Sequence, residues 1–146
     1  MTRPTRDETM LAIAFTIARR STCARREVGA VLTDANGRVL AVGHNGVAMG
    51  EVHCVDEPCA GVGLPSTTGL DVCLAAHAEM NCLTFCPDVM RIDTIYVTAS
   101  PCSHCVRYLL NTSCRRIVYE EPYDDAAVAR WTRSGREAVR MIRGMR

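Results

Sequence analysis

The chain has no apolar stretch long enough to span a membrane; its longest apolar segments are strand-sized or broken by charge. Met1 to Asp7 mixes Arg, Thr and Pro without an apolar run, so no secretory leader is expected, and a soluble cytoplasmic protein is. A charge excess is missing too. The net charge is +1, and basic residues are spread along the sequence. That argues against a dedicated nucleic-acid surface, where a basic patch is expected, but leaves room for a small anion held by one or two arginines. No internal repeat or low-complexity segment is visible. Aromatic residues make up only 5% of the chain, so aliphatic side chains must supply most of the core.

Cysteine, by contrast, is abundant: nine residues, an odd number. In a short secreted chain this would suggest a disulfide framework. A chain of 146 residues can bury roughly two-thirds of its unfolded surface without such staples. Reduced cysteines, some on metal and others in the core, are the expectation. One domain over residues 1–146 is expected, with a Cys/Gly-rich insertion at about 47–73.

Periodicity predicts the elements. Met10, Leu11, Ala14, Phe15, Ile17 and Ala18 recur at helical spacing between Glu8 and Arg20. Val28–Leu32 reads as a buried strand, Asp34–Gly37 as a turn, and Arg38–Val42 as the returning strand of a hairpin. Gly43–Asp71 is irregular, and a loop of that length within a domain is usually functional or disordered. Cys73–Cys86 returns to helical spacing, Asp93–Thr98 is a strand, and Pro101 opens a helix. Arg115–Tyr119 is a strand, Asp124–Ser134 a helix stopped by Gly135, and Ala138–Ile142 a final strand. Helical crossovers imply parallel pairing among the later strands, whereas the first hairpin is antiparallel. The expected fold class is α/β, a three-layer α-β-α arrangement with a mixed five-stranded sheet and helices on both faces.

The chemistry is concentrated in two short motifs, His77-Ala78-Glu79 and Pro101-Cys102-Ser103-His104-Cys105. Imidazole nitrogen and thiolate sulfur are good zinc ligands, and a catalytic zinc keeps three protein ligands and one open position. His77, Cys102 and Cys105 fill the three. Glu79 remains free to move protons. Both motifs fall at helix starts, where partial positive charge favours thiolate. The pattern H-x-E…P-C-x-x-C is the signature of zinc-dependent nucleobase deaminases. A structural zinc would be closed by four protein ligands, whereas here the first motif offers one ligand and then an acid. His104 is read as solvent-facing or supporting, not as a fourth ligand.

Beyond these motifs the chain resembles the deoxycytidylate (dCMP) deaminases of the cytidine deaminase-like superfamily over most of its length. Ser21-Thr22-Cys23-Ala24-Arg25-Arg26-Glu27-Val28-Gly29-Ala30-Val31 is similar to that family's S-T-C-x-R-R-x-V-G-A-V opening. Gly43-His44-Asn45-Gly46 is similar to its G-Y-N-G segment, and His77-Ala78-Glu79-Met80-Asn81 matches H-A-E-x-N. Ile117-Val118-Tyr119 with Tyr123 looks like its V-Y-x-x-x-Y tail. The resemblance implies hydrolytic deamination of a free cytosine nucleotide, dCMP to dUMP, by a cytoplasmic homo-oligomer with neither nucleic acid nor membrane as partner. It implies that Asn45 bonds the deoxyribose, that Arg25 or Arg26 holds the 5′-phosphate, and that Ala78 and Tyr123 border the substrate. The same residues have plainer uses: the arginines follow a helix end, Asn45-Gly46 is good turn chemistry, and Tyr119 ends a buried strand.

The resemblance further implies a second, structural zinc drawn from Cys23, His53, Cys54, Cys59 and Cys73, beside plain burial as the other reading of free cysteine. Departures from the family pattern fall at His44, at the proline missing after Gly46, and at Leu74-Ala75-Ala76. Rival readings are a relative acting on a nucleoside, triphosphate or modified base, a tRNA or nucleic-acid deaminase, and a zinc-binding module without turnover.

Overall fold

A computed structural model describes residues 2–142. The first helix, α1 (Arg6–Ala18), starts where Thr5 and Glu8 form a capping box: the Glu8 amide donates to Thr5 Oγ1 at 3.2 Å and the Thr5 amide to Glu8 Oε2 at 2.7 Å. The hairpin strands β1 (Gly29–Thr33) and β2 (Val39–His44) follow. After the long irregular segment come α2 (Ala78–Phe85), β3 (Thr94–Ala99), α3 (Ser103–Leu109), β4 (Arg116–Glu121), α4 (Asp125–Arg133) and β5 (Glu137–Arg140). The element order and the mixed sheet agree with the sequence expectation.

Strands lie in the order β2-β1-β3-β4-β5. β1 is antiparallel to both β2 and β3, whereas β3, β4 and β5 run parallel. Register then decides where the loops meet. Gly29 pairs with His44, Ala30 with Val97, and Ala99 with Glu121. The start of β1 and the ends of β2, β3 and β4 therefore share one edge of the sheet.

The pleat sends alternate side chains to opposite layers. Ala30, Leu32, Ile95, Val97, Ile117 and Tyr119 pack against Ala78, Cys82, Val106, Leu109 and Trp131, which belong to α2, α3 and α4. Val31, Tyr96 and Val118 face the other way, onto Ala14 of α1. β1 and β3 are buried on both faces, which explains why neither carries a charged residue or alternates apolar with exposed polar positions. Among the described residues, no helix is long and apolar enough to cross a membrane.

Two boundaries differ from expectation in an informative way. The helix expected from Cys73 begins only at Ala78, with His77 as an extended N-cap at φ −71°, ψ 153°. Ala76 is taken by a bridge to Gly46: its amide donates to the Gly46 carbonyl at 2.8 Å, and the Gly46 amide donates back at 3.1 Å. A long-range pairing has overridden local helical spacing. The last strand lies at Glu137–Arg140 instead of Ala138–Ile142, because Trp131 Nε1 donates to the Glu137 carbonyl at 2.7 Å and draws the chain into register earlier.

Helix α2 sits unusually close to the hairpin. A Cβ placed on Gly43 would lie 2.7 Å from the Ala78 carbonyl oxygen and 2.8 Å from the Cys82 nitrogen, both backbone atoms of α2. Asn81 ties the same two elements together, its Nδ2 donating to the His44 carbonyl at 2.7 Å. At the opposite edge of the sheet, Arg116 grips Asp7 with two hydrogen bonds, 2.8 and 2.6 Å, and Tyr96 donates its hydroxyl to the same carboxylate at 2.9 Å.

Two outcomes follow from these contacts. Gly43→Ala should push α2 outward and cost about 1–3 kcal/mol by overpacking, read as a lower denaturant midpoint. The Arg116 hydrogen bonds hold the Asp7 carboxyl below its ordinary 3.8. A depressed folded value adds stability above the unfolded value and loses it as pH falls through the folded one. Asp7→Asn should therefore be less stable than the parent at pH 7, by about 1.5–3 kcal/mol for charged hydrogen bonds. The gap should close as the pH drops below about 4 in parallel urea melts.

Candidate metal centre and pocket

Each ligand candidate is placed by a helix start. His77 is the N-cap of α2 and Cys102 the N-cap of α3, and neither side chain caps its own helix. Cys105 sits one turn into α3 and is fully buried. His77 Nδ1 lies 3.4 Å from the sulfur of Cys102 and 3.4 Å from that of Cys105. Among the described residues, these are the ones whose metal-binding atoms gather, three together, within 4.8 Å of one another. Zinc bonds of ~2.0–2.1 Å to nitrogen and ~2.3 Å to sulfur imply ligand separations of about 3.5 Å in a tetrahedral site. The donor set and its spacing fit zinc, with one coordination position left open.

The electrostatics of the trio show how tightly these side chains interact. The Cys102 thiol is pulled down to about 4, first by a hydrogen bond from Cys105 and also by His77. Cys105 keeps its proton because it gives that bond to Cys102. His77 is pushed up by its bond to Cys102. Glu79, 4% exposed, has its carboxyl pushed up by burial.

Beside His77 and Cys102 lies a pocket of about 330 Å³. Its wall includes His77, Ala78, Glu79 and Cys102 from the motifs, together with Arg25, Arg26, Asn45 and Tyr123. The substrate-binding candidates read from the sequence thus converge on one cavity. Asn45 is 5% exposed and holds the segment before β1: its Oδ1 accepts from the Val28 amide at 2.9 Å, and its Nδ2 donates to the Arg26 carbonyl at 2.8 Å. The Arg26 guanidinium lies 4.2 Å over the Tyr123 ring. Tyr119 is in the core, as its strand position implies. His104 is exposed, with Arg107 3.4 Å from its Nδ1.

Sequence reasoning passed over some of the wall. Ser100 accepts from the amides of Tyr123 at 2.8 Å and Asp124 at 3.2 Å, and so sets where Tyr123 stands. Its signal was a small polar residue directly before Pro101. Leu64, Ser66 and Leu70 enter the pocket from the insertion. No local pattern marks them.

The insertion cysteines form a second, looser group. The sulfurs of Cys54 and Cys59 are 3.7 Å apart. The Cys59 thiol is drawn down to about 7, first by the Leu74 backbone and also by Cys54 and Cys73. Cys73 is pushed up by burial and by the neighbouring Cys59 and Cys23. Cys54, Cys59 and Cys73 are thus linked through Cys59, and Cys23 is felt at Cys73 by its charge alone. His53 is exposed, and its carbonyl accepts from the amides of Asp56 at 2.9 Å and Glu57 at 3.0 Å.

Residues 4–121 match the family model described as the cytidine and deoxycytidylate deaminase zinc-binding region. The chain belongs to this family. Membership makes it a hydrolytic deaminase with a zinc-binding region. A deoxycytidylate deaminase of Mycobacterium phage D29 is 38% identical over 125 residues, a match spanning 82% of this chain and 97% of the phage protein. The deoxycytidylate deaminase of Schizosaccharomyces pombe is 33% identical over 126 residues, covering 84% of this chain but 39% of the yeast protein. Among solved structures, the dCMP deaminase of cyanophage S-TIM5 in apo form aligns with a TM-score of 0.74 at 25% identity, over 96% of this chain and 100% of that one. The fold of the deaminase family and that of this chain are the same.

Proposed function

We propose that the chain converts dCMP and water to dUMP and ammonia, as a single catalytic domain. The observation that carries this reading is the pocket itself. It combines His77 and Cys102 with the buried carboxyl of Glu79, and it has an arginine stacked on a tyrosine at its rim. The phage D29 relative, named a deoxycytidylate deaminase and matched along nearly its whole length, supports the choice of substrate.

His77, Cys102 and Cys105 would hold the zinc. When bound, zinc supplies Lewis acidity that makes a water nucleophilic at neutral pH. Glu79 takes the proton from the attacking water as its oxygen bonds to C4 of the cytosine ring, and delivers it to N3. With a second proton from the same oxygen relayed through Glu79 to the amine, the C4–N bond breaks, ammonia leaves and the carbonyl of uracil remains. Because Glu79 is buried, bulk water does not compete for that proton. Ala78, with its side chain fully buried beside the ligand, brings the backbone against the base. Asn45 offers its remaining amide hydrogen to the deoxyribose, and Tyr123 borders the pyrimidine. The arginine fork suits the 5′-phosphate.

A second zinc is supported by the neighbouring thiols of Cys54, Cys59, Cys73 and Cys23. Held there, it would pin a segment with little core of its own.

Assays with dCMP, CMP, dCTP, deoxycytidine and cytosine should show dCMP as the best substrate; a better unphosphorylated substrate would remove the phosphate from the reading. Glu79→Gln should keep its zinc yet lose activity by at least the ~10²–10⁴-fold typical of general acid–base groups. Metal analysis should find two zinc ions per chain, falling to one in Cys54→Ser/Cys59→Ser with residual deamination. A single zinc in the parent chain would dismiss the insertion site.

A further inference from the structure

Arg25 and Arg26 are adjacent, and both are phosphate candidates by composition, yet the fold gives them different surroundings. Arg25 Nη2 donates to the carbonyls of Leu64 at 3.2 Å, Thr68 at 2.8 Å, and Pro65. These carbonyls belong to one turn of the insertion. The Thr68 amide and hydroxyl both donate to the Pro65 carbonyl, at 3.1 and 2.6 Å, and Thr67 takes a left-handed φ of 65°. A threonine rarely adopts that backbone unless its surroundings hold it there. The guanidinium supplies the hold: a cation donating to clustered carbonyls makes charge-assisted bonds, stronger than neutral ones. The same turn and its flanks bring Leu64, Ser66 and Leu70 to the pocket wall. Arg26 has no comparable engagement among the described residues; its guanidinium lies over Tyr123, and its charge is felt at His77.

We infer that Arg25 is a positioning residue, a clasp that holds residues 64–68 against the pocket as a wall for the nucleoside, and that the phosphate falls to Arg26 alone. Nη2 of Arg25 is committed to the carbonyls of this turn, which holds the side chain against the insertion. The Arg26 guanidinium, stacked on Tyr123 at the pocket wall, has no side-chain hydrogen bond among the described residues and offers its fork to a phosphate. The inference rests on the nucleotide-deaminase reading above, but the clasp itself is a property of the free protein and can be measured without substrate.

The test compares Arg25→Ala, Arg25→Lys and Arg26→Ala with the parent, using dCMP and deoxycytidine as substrates and hydrogen exchange across residues 61–71 without substrate. Zinc content is measured on each sample. Arg25→Ala, which removes all three bonds to the turn, should speed exchange at 64–68 and raise KM for both substrates by a similar factor, about tenfold or more. Its dCMP-to-deoxycytidine ratio of kcat/KM should stay unchanged. Arg25→Lys, whose ammonium brings three donors to the same carbonyls, should recover slow exchange and most of the KM. Arg26→Ala should weaken dCMP selectively and leave exchange at 64–68 as in the parent. Unchanged exchange in Arg25→Ala, or a loss confined to dCMP, would overturn the clasp. If the parent deaminates neither substrate, the functional reading fails, while the exchange comparison still decides whether Arg25 holds the turn.

Discussion

The docking of two helix starts against one edge of the sheet is the constraint on which the site depends. His77 and Cys102 are N-cap residues, so their positions follow from where α2 and α3 begin. Those beginnings are fixed by backbone. The Gly46–Ala76 bridge stops the chain just before His77, and Gly43 lets α2 lie against the hairpin at a distance no side chain would permit. For α3, the Ser100 amide donates to the Glu121 carbonyl at 2.8 Å, and Asp124 accepts from the Ser103 amide at 3.2 Å while capping α4 through Ala127. With the helix starts placed in this way, the His77 nitrogen comes to 3.4 Å from both sulfurs.

Stability and chemistry are kept at opposite edges. The Asp7–Arg116–Tyr96 cluster joins α1, β3 and β4 far from the pocket, and its charges satisfy one another. At the other edge, a carboxyl is buried, thiols compete for a proton and an imidazole is pulled upward. Groups strained in this way are costly in a folded chain and cluster at functional sites. The capping box of α1 and the buried β1 and β3 supply a frame that tolerates them.

Much of this was legible in the sequence where the cause is local. Cys102-x-x-Cys105 spans a single helical turn, so residue order alone brings the two sulfurs together, and the H-x-E motif marks their partner from its residue types. The hairpin, the parallel crossovers and the core role of Tyr119 follow from period and turn chemistry. What stayed hidden is non-local. The late start of α2 depends on a bridge between positions 46 and 76. The partners of Arg25 lie 39 to 43 residues away, so an arginine doublet reads as two equivalent cations. Ser100 carries no local sign of its partners, because the amides it accepts from lie 23 and 24 residues later.

The register of the sheet has one more consequence. Arg25, Arg26 and Asn45 arrive on the antiparallel hairpin half, whereas Cys102, Cys105 and Tyr123 arrive on the parallel half, and within the sheet the two halves are joined by the pairing of β1 with β3. The cysteines of the candidate metal centre and the polar side chains of the pocket wall are thus carried by separately connected pieces of chain. Substitutions in the hairpin loops or the insertion can retune what the pocket accepts while the cysteine pair stays where α3 puts it. Such a plan lets preference for one base-bearing molecule over another drift step by step, as long as the changes spare Gly43 and the Gly46–Ala76 bridge that seat α2.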